Sequence, residues 1–196
     1  MSELRARLHL VRHGETEWAL AGKHTGRTEI ALTARGEEDV RKLGPRLQGI
    51  QFSHVLSSPR QRAQRTCELA ALNVPTQIEA DLAEWDYGEY EGRRTADIRL
   101  ERAGWNIFRD GCPGGESPAQ VGERADRLLA RLSALTGNVA LFSHGHFGRV
   151  LAARWIGLPP ELGQRFLLGT ASLSILGYEP RNVDMPAFEL WNSAPW

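Results

Sequence analysis

Two short apolar runs that lie far apart in the chain each end at a histidine followed by a glycine. Residues 8–11 lead into Arg12 and His13, and residues 139–142 lead, after one serine, into His144. Apolar runs of this length are typical of buried parallel strands. Because the carboxyl ends of parallel strands meet at one edge of a sheet, where open α/β sheets bind ligands, we expect the two imidazoles to lie side by side there.

Helical patterns separate the strand-like runs. Thr33 is a good N-cap, apolar residues then recur at helical spacing, and Gly49 is a natural stop. Pro59 predicts the start of a second helix, and Ser117 before a proline predicts another. This alternation predicts a single domain, residues 1–196, with a three-layer α/β/α sandwich around a mostly parallel central sheet. Further strands are expected at residues 54–58, 76–78, 171–176 and 187–190, the last two as edge strands, and helices at residues 59–72, 94–103 and 146–156, with an extended loop at 14–32.

The composition limits which binding partners and which cellular compartment we expect for the protein. Lysine plus arginine and aspartate plus glutamate number 24 each, so no net field draws in nucleic acid or an anionic membrane. No apolar run approaches the length of about 18 residues that a membrane helix needs. Cys67 and Cys112 offer neither a disulfide framework nor a C-x-x-C metal spacing. We therefore expect a soluble cytoplasmic protein with two free thiols, without a nucleic-acid or membrane partner, and of open oligomeric state.

Cationic and acidic side chains accompany the two strand ends. Arg12 flanks His13, and Arg62 follows the strand at residues 54–58, at the start of a helix, where anions are favoured. Glu84 lies in a loop rich in aromatic residues and glycines and is able to shuttle a proton. Each of these residues alone is more often structural. Together they supply the cations, the nucleophile and the proton donor that phosphoryl transfer without a metal needs.

Four segments in this order resemble the signatures of one family. Residues 11–16 (VRHGET) resemble the R-H-G-[ED]-[ST] signature of the histidine phosphatase superfamily, the phosphoglycerate mutase-like proteins. Residues 57–66 (SSPRQRAQRT) resemble its S-x-x-x-R-A-x-x-T segment, and residues 82–92 (LAEWDYGEYEG) its acid loop. Residues 143–145 (SHG) resemble its late H-G element. The resemblance covers most of the chain and implies a phosphoglycerate mutase-like fold.

The resemblance also implies a role for each residue of the constellation. His13 is expected to be the nucleophile that forms a phosphohistidine. Arg12, Arg62 and a protonated His144 are expected to bind the transferred phosphoryl group. Glu84 is expected to protonate the leaving oxygen and then to activate the water that cleaves the intermediate. No metal or other cofactor is implied, and the partner is a small phosphorylated metabolite.

A narrower likeness points to the sugar-phosphate end of the site. Segments at residues 25–26, 84–88, 104–112, 144–149 and 175–178 are similar to the fungal sedoheptulose bisphosphatase branch. Arg149 lies one helical turn past His146, and we expect it to reach a second phosphate. The histidine at residue 146 itself is expected to stabilise the helix start or to orient its neighbour rather than to contact substrate. The likeness implies substrate binding by His24, Thr25, Gly26, Tyr87, Arg149 and Tyr178.

Two activities within the family compete. One is a metal-independent phosphatase for small phosphorylated metabolites, including sugar phosphates or bisphosphates such as sedoheptulose bisphosphate. The other is a phosphotransferase of the phosphoglycerate mutase type. The chain is compact between the acid loop and the late H-G element, where true mutases are longer. This favours hydrolysis, since a mutase must keep water away from its intermediate. Ala19 stands where many members have asparagine, and it lacks the amide for a secondary hydrogen bond of the phosphate pocket.

Two readings from other classes are weaker. A metallohydrolase site would use His13, His144 and His146 with acidic residues. The chain offers no carboxylate cluster of the H-x-H-x-D kind, which disfavours this reading. A non-catalytic binding domain would retain the pocket and lose part of the machinery. The nucleophile, both arginines, the acid and the second histidine are all present, which favours an enzyme.

Overall fold

The computed structural model describes residues 5–194, which form a six-stranded sheet in the order β3-β2-β4-β1-β5-β6. The β1–β4, β2–β4 and β2–β3 pairs are parallel, whereas β1–β5 and β5–β6 are antiparallel. The expected mostly parallel sheet is therefore confirmed. The strands are β1 (Arg7–Arg12), β2 (Phe52–Ser57), β3 (Thr76–Ile78), β4 (Asn138–Ser143), β5 (Leu173–Glu179) and β6 (Asn182–Ser193).

Helices cover both faces of the sheet, so the three-layer sandwich is also confirmed. Successive strand residues point to opposite faces. Leu8 and Leu10 of β1 pack into the core that α6 and α7 cover, and Val11 packs into the core that α2 and α3 cover. The α-helices are α1 (Glu17–Leu20), α2 (Ala34–Gln48), α3 (Gln61–Ala70), α4 (Thr95–Glu101), α5 (Ile107–Asp110), α6 (Pro118–Leu132) and α7 (Gly145–Trp155).

The register of the two central strands aligns their ends. Leu8 of β1 pairs with Val139 of β4, and the ladder runs on to Arg12 opposite Ser143. The next residue of each strand is therefore a histidine, at the same edge of the sheet. Both strands are buried on both faces over most of their length, which explains their continuous apolar sequence.

Several expected boundaries shift. Helix α3 begins at Gln61 rather than at Pro59, because Arg60 has an extended backbone and acts as the N-cap. The expected loop at residues 14–32 contains α1, whose N-cap Thr16 accepts a hydrogen bond from Ala19 N at 3.1 Å. The expectation that β5 is an edge strand is wrong, because β5 lies between β1 and β6.

None of the helices formed by residues 5–194 is long and apolar enough to cross a membrane. Cys67 and Cys112 are both buried and both unpaired. Cys67 packs in the core between the sheet and α2–α3, and Cys112 packs in the core on the opposite face. Each thiol therefore has a packing role that explains its burial without a disulfide.

Candidate active site

The ends of β1 and β4 bring His13 and His144 together. Their ring centroids are 5.2 Å apart, and the rings meet edge to face at 61°. The backbone N–H of His13 donates to the Ser143 carbonyl at 3.0 Å. This bond extends the strand ladder by one residue and fixes the backbone of His13. The predicted juxtaposition of the two imidazoles is present.

A hydrogen bond defines which nitrogen of His13 is free. Its Nδ1 lies 2.7 Å from the Gly14 carbonyl oxygen. A carbonyl only accepts, so Nδ1 carries the hydrogen and Nε2 keeps its lone pair. Burial lowers the pKa of His13 well below its usual value, and the charges of Arg62 and Arg12 lower it further. The ring is therefore neutral and presents Nε2 as a nucleophile.

Close packing holds the turn after the nucleophile. The Gly14 N–H donates to Thr66 Oγ1 at 3.0 Å, which ties the turn to α3. A Cβ on Gly14 would lie 2.8 Å from the Gly36 carbonyl oxygen in the first turn of α2. Only glycine fits this approach, which explains the glycine that follows the histidine.

Two arginines place fixed positive charge around His13. Arg12 donates through Nη1 to the Leu168 carbonyl at 2.5 Å. Arg62 is almost fully buried and donates to the carbonyls of Thr25 at 2.8 Å and Gly26 at 3.0 Å. The Nε atoms of both arginines are buried without a hydrogen-bond partner among the described residues. Unpaired buried donors are costly, and two of them beside a nucleophile fit an anionic ligand.

His144 is fully buried, and its Nε2 lies 2.7 Å from Ser58 Oγ. Its Nδ1 has no partner among residues 5–194. Burial lowers the pKa of His144 well below its usual value, and the charges of Arg62, His13 and Arg12 add to the effect. Burial therefore favours the neutral form of His144 in the unliganded site, and a protonated His144 next to a bound phosphoryl group stays a prediction. The two arginines supply the positive charge, and His144 is a neutral hydrogen-bonding group.

Glu84 faces the same pocket as His13 and is held by three backbone N–H groups. Its Oε1 accepts from Trp85 N at 2.9 Å and from Phe147 N at 2.8 Å, and its Oε2 accepts from His146 N at 3.0 Å. Two of these donors belong to the first turn of α7, where unpaired N–H groups favour a carboxylate. The acid is thus oriented by main chain on both sides.

Residues that the sequence analysis missed support this machinery. Arg124 of α6 is buried, forms a two-point ion pair with Glu116 at 2.8 Å, and donates to the carbonyls of Asp81 at 2.9 Å and Ala83 at 2.7 Å. It therefore holds the segment that carries Glu84. The signal was present in the sequence, because Arg124 falls on the apolar face of α6. Ser58 and Thr66 lie in the segment at residues 57–66 that resembles a family signature, but the sequence alone assigned them no role.

The pocket in front of His13 has a volume of about 240 Å³. His13, Arg12 and Glu84 share its lining with residues expected to bind substrate. Lys23 stands at the exposed rim, with its ammonium 5.3 Å from the centroid of the Trp18 ring. Arg62 and His144 are buried and are not among the residues that line this pocket. The pocket is lined by Arg12, His13, Ala19, Gly22, Lys23, His24, Thr25, Glu84, Tyr87, Thr95, Gly145, His146, Arg149 and Leu168.

Four of the six residues expected to bind substrate line this pocket, namely His24, Thr25, Tyr87 and Arg149. Burial lowers the pKa of His24 to about 4, so this imidazole is neutral. Arg149 donates to the carbonyls of residues 163 and 164 at 3.1 and 2.7 Å, and its guanidinium carbon lies 4.6 Å from the centroid of the Phe108 ring.

Gly26 lies behind the pocket instead of lining it. Its N–H donates to both carboxylate oxygens of Glu91 at 2.9 and 3.0 Å, and its carbonyl accepts from Arg62. A Cβ on Gly26 would meet the Trp85 carbonyl oxygen at 2.7 Å. The expectation of a substrate contact is thus replaced by a role in packing the loop against the acid segment.

Tyr178 does not belong to the site, and its prediction as a substrate-binding residue is wrong. β5 runs antiparallel to β1, with Leu173 opposite Val11 and Leu176 opposite Leu8. Tyr178 therefore lies beyond the amino end of β1, at the opposite edge of the sheet. There its ring packs edge-on against Trp155, with the centroids 5.2 Å apart.

Among residues 5–194, no group of three or more histidine, cysteine, aspartate or glutamate side chains has a metal-holding arrangement. His146, the third histidine of the metallohydrolase reading, hydrogen bonds through Nδ1 to Tyr87 at 2.6 Å. The Glu84 carboxylate, which lines the same pocket, is occupied by backbone donors. The side chains that converge on the pocket are therefore suited to an anion.

Comparison with known proteins agrees with this geometry. The model of the histidine phosphatase superfamily (branch 1) matches residues 8–193. An acid phosphatase of Mycobacterium tuberculosis is 45% identical over 177 residues, which cover 88% of this chain and 87% of the relative. Sedoheptulose 1,7-bisphosphatase of Saccharomyces cerevisiae is 30% identical, with 97% and 94% covered. A solved structure of an open reading frame of Mycobacterium tuberculosis superposes with a TM-score of 0.90 at 39% identity, covering 97% of this chain and 99% of that one. The chain belongs to branch 1 of the histidine phosphatase superfamily and is a hydrolase of that family.

Proposed function

We propose that the protein is a metal-independent phosphatase that hydrolyses small phosphorylated metabolites, with sugar phosphates and bisphosphates as the substrate class, through a phosphohistidine at His13 Nε2. The observation that carries this proposal is the hydrogen bond of 2.7 Å between His13 Nδ1 and the Gly14 carbonyl. It leaves a bare Nε2 in a pocket that also holds Glu84 and Arg12. Sedoheptulose bisphosphate is one member of the proposed class.

In the first half of the proposed reaction, His13 Nε2 attacks the phosphorus and the bond to the leaving oxygen breaks. Glu84 gives a proton to that oxygen, so the alcohol leaves neutral. The phosphoryl group carries about two negative charges, which the guanidiniums of Arg12 and Arg62 balance. Their fixed positions mean that little reorganisation is needed as charge moves toward the equatorial oxygens.

In the second half, a water molecule attacks the phosphorus of phosphohistidine while Glu84 takes one of its protons. The bond between phosphorus and Nε2 breaks, inorganic phosphate leaves, and His13 returns to its starting form. The same carboxyl group therefore serves as acid and then as base. The three backbone donors on Glu84 support this double use, because they hold the carboxyl group in one place.

The substrate class is supported by the size and charge of the pocket. A volume of about 240 Å³ suits a compact metabolite. Arg149 uses Nε and Nη2 for backbone carbonyls, and its Nη1 has no hydrogen bond among the described residues. Together with Lys23 at the rim it offers positive charge to a second anionic group. The name of the yeast relative, a sugar bisphosphatase, points the same way.

A cytoplasmic location is part of the proposal. The two buried and unpaired thiols of Cys67 and Cys112 support it, because disulfides are rare in the reducing cytosol. The small pocket supports a single small-molecule partner, since it accommodates neither a folded domain nor a nucleic-acid duplex. Fractionation of cells that express the chain under its own promoter, with thiol labelling of the recovered protein, tests this part.

The His13→Ala variant tests the mechanism. Hydrolysis of p-nitrophenyl phosphate after exhaustive chelation should continue in the parent protein and fall by about 10³-fold or more in the variant, because no nucleophile remains. The parent should also trap a phosphoenzyme that is stable to base and labile to acid, as phosphohistidine is. The His54→Ala variant, at the far end of β2, is the matched control. Near-normal turnover by His13→Ala, or a chelator-sensitive parent, would overturn the mechanism.

A further inference from the structure

The hydroxyl of Tyr87 and Nδ1 of His146 are 2.6 Å apart in the wall of the pocket. The arrangement that satisfies the phenol O–H within residues 5–194 has the phenol donating and Nδ1 accepting, because the hydroxyl has no other acceptor among these residues. Burial keeps both groups uncharged, because it raises the pKa of Tyr87 well above its usual value and lowers the pKa of His146 well below it. In this arrangement the one N–H of the neutral imidazole of His146 is on Nε2.

Nε2 of His146 is open to the binding region. It has no hydrogen-bond partner among the described residues, yet it is not one of their enclosed unpartnered atoms. The side chain lines both the pocket of His13 and an adjoining pocket of about 230 Å³ that Asn106 and Gln164 also line. A directed donor thus stands at the junction of the two pockets.

The position of this donor relates it to the leaving group. The backbone N–H of His146 donates to Glu84 Oε2 at 3.0 Å, so its side chain starts next to the proposed acid. The acid must reach the ester oxygen of the substrate. We therefore expect a group attached one or two carbons from that oxygen to lie near His146, and the phosphoryl group to lie against His13.

We propose that His146 Nε2–H donates a hydrogen bond to a hydroxyl or carbonyl oxygen of the leaving group, and that Tyr87 positions this donor. The site then selects phosphate esters of polyhydroxylated alcohols over esters of plain alkyl alcohols. A plain alkyl ester leaves the His146 donor unpaired. The free-energy cost of that unpaired donor discriminates between the esters more strongly than the gain from the hydrogen bond itself. This inference rests on the proposed phosphatase function and names the feature of the substrate that the site recognises.

The test compares sn-glycerol 3-phosphate with n-propyl phosphate, two esters that differ in the hydroxyls of the leaving group. The ratio of their kcat/KM values should fall about tenfold or more in His146→Asn, which keeps an acceptor for Tyr87 and removes the donor at the ε position. His146→Gln, whose amide reaches that position, should recover most of the ratio. Tyr87→Phe should lower it severalfold, and His54→Gln should leave it unchanged.

An unchanged ratio in His146→Asn, or a parent protein that does not prefer the glycerol ester, would overturn the donor role. If His146→Asn does not fold, His146→Gln and Tyr87→Phe decide the question, because a ratio lowered in Tyr87→Phe and kept in His146→Gln requires a positioned donor. Turnover of p-nitrophenyl phosphate that depends on His13 separates this failure from a failure of the proposed function. If that turnover is absent, the phosphatase proposal itself fails.

Discussion

The Gly14 carbonyl fixes the hydrogen of His13, whereas the Ser58 hydroxyl leaves that of His144 adjustable. A carbonyl only accepts, but a hydroxyl donates or accepts. When Ser58 donates to Nε2, the Nδ1 of His144 carries the hydrogen and can donate to a phosphoryl oxygen. The nucleophile is therefore held in one form, while its neighbour can adapt to the ester and to the phosphohistidine without a change of charge.

Sequence motifs indicate which side chains meet, but not their charge. His13, Arg12 and His144 follow apolar strands, so their meeting could be predicted from the local pattern. The neutral form of His144 depends on full burial next to Arg62, a residue of α3. Desolvation is a property of the assembled fold, and for that reason the local sequence pattern does not predict the protonation state of His144.

Replacement of Arg149 tests its part in binding a second phosphate. Arg149→Gln should raise KM for fructose 1,6-bisphosphate about 10- to 100-fold, with a smaller effect on fructose 6-phosphate, because a charged hydrogen bond is lost. Initial rates over a substrate series give both values. Arg154→Gln is the matched control, since Arg154 lies on the same helix and pairs with Asp126 at 2.8 Å. Equal effects on both sugars would contradict the role.

At the scale of elements, local chemistry explains most boundaries. Ser117 caps α6 through a capping box with Gln120, and Thr33 caps α2 by accepting from Gly36 N at 2.9 Å, as expected for their residue types. The start of α3 was misplaced because the Arg60 N–H donates to Ser58 Oγ at 3.2 Å, which prolongs the turn past the proline. The Ser58 hydroxyl that accepts this hydrogen bond is also the partner of His144, so the start of α3 reflects the geometry of the site and not helix propensity.

The packing of α6 against the acid segment predicts a coupled loss of stability and activity. Arg124→Met should lower the free energy of unfolding by about 3 kcal/mol, because Glu116 and the carbonyls of Asp81, Ala83 and Glu84 lose their partner. It should also lower kcat for sn-glycerol 3-phosphate more than for p-nitrophenyl phosphate, whose leaving group needs no proton. Urea unfolding and steady-state rates measure the two effects.

Arg127→Met provides the control for this prediction. Arg127 lies one turn along the same helix and pairs with Asp81 at 3.1 Å, but it is exposed. Surface ion pairs of this kind contribute about 0–1 kcal/mol. If the two variants lost the same stability, or if Arg124→Met affected both substrates equally, the proposed hold on Glu84 would be contradicted.

At the scale of the whole molecule, the direction of a strand in the sheet is the property that the sequence does not predict. The apolar run of β5 has the same appearance whether it is placed parallel or antiparallel to β1. The antiparallel placement sends Tyr178 to the far edge of the sheet and makes β6 the edge strand instead. The parallel core was predictable because alternating helices and strands imply it, whereas the return of the last two strands depends on packing.

Burial of neutral histidines predicts acid sensitivity of the fold. The unfolded chain binds protons below about pH 6.5 that the folded chain does not, so stability is full above this pH and is lost as pH falls. His24, with its pKa lowered to about 4, should alone contribute a loss of about 2 kcal/mol between pH 7 and pH 5. The histidines with a lowered pKa are His9, His13, His24, His144 and His146.

Urea unfolding in phosphate-free buffer at a series of pH values measures this dependence. The free energy of unfolding should fall steadily from pH 7 to pH 5. His24→Gln should reduce the slope of this free energy against pH by the amount that corresponds to about one bound proton. A stability that does not change over this range would contradict the prediction. Added inorganic phosphate should offset part of the loss, because it binds only the folded protein.

The residues that line the pocket come from parts of the fold that we expect to differ in their resistance to local opening. His13 and His144 directly follow the central strands β1 and β4, where opening is expected to cost most, whereas Thr25 lies on a partly exposed loop, where it is expected to cost less. Amide hydrogen exchange should therefore be slow behind the nucleophile and fast behind the leaving group. Substitutions in the loops can then diversify what is hydrolysed while the bond-breaking apparatus stays intact, so new specificities can evolve without passing through an inactive ancestor.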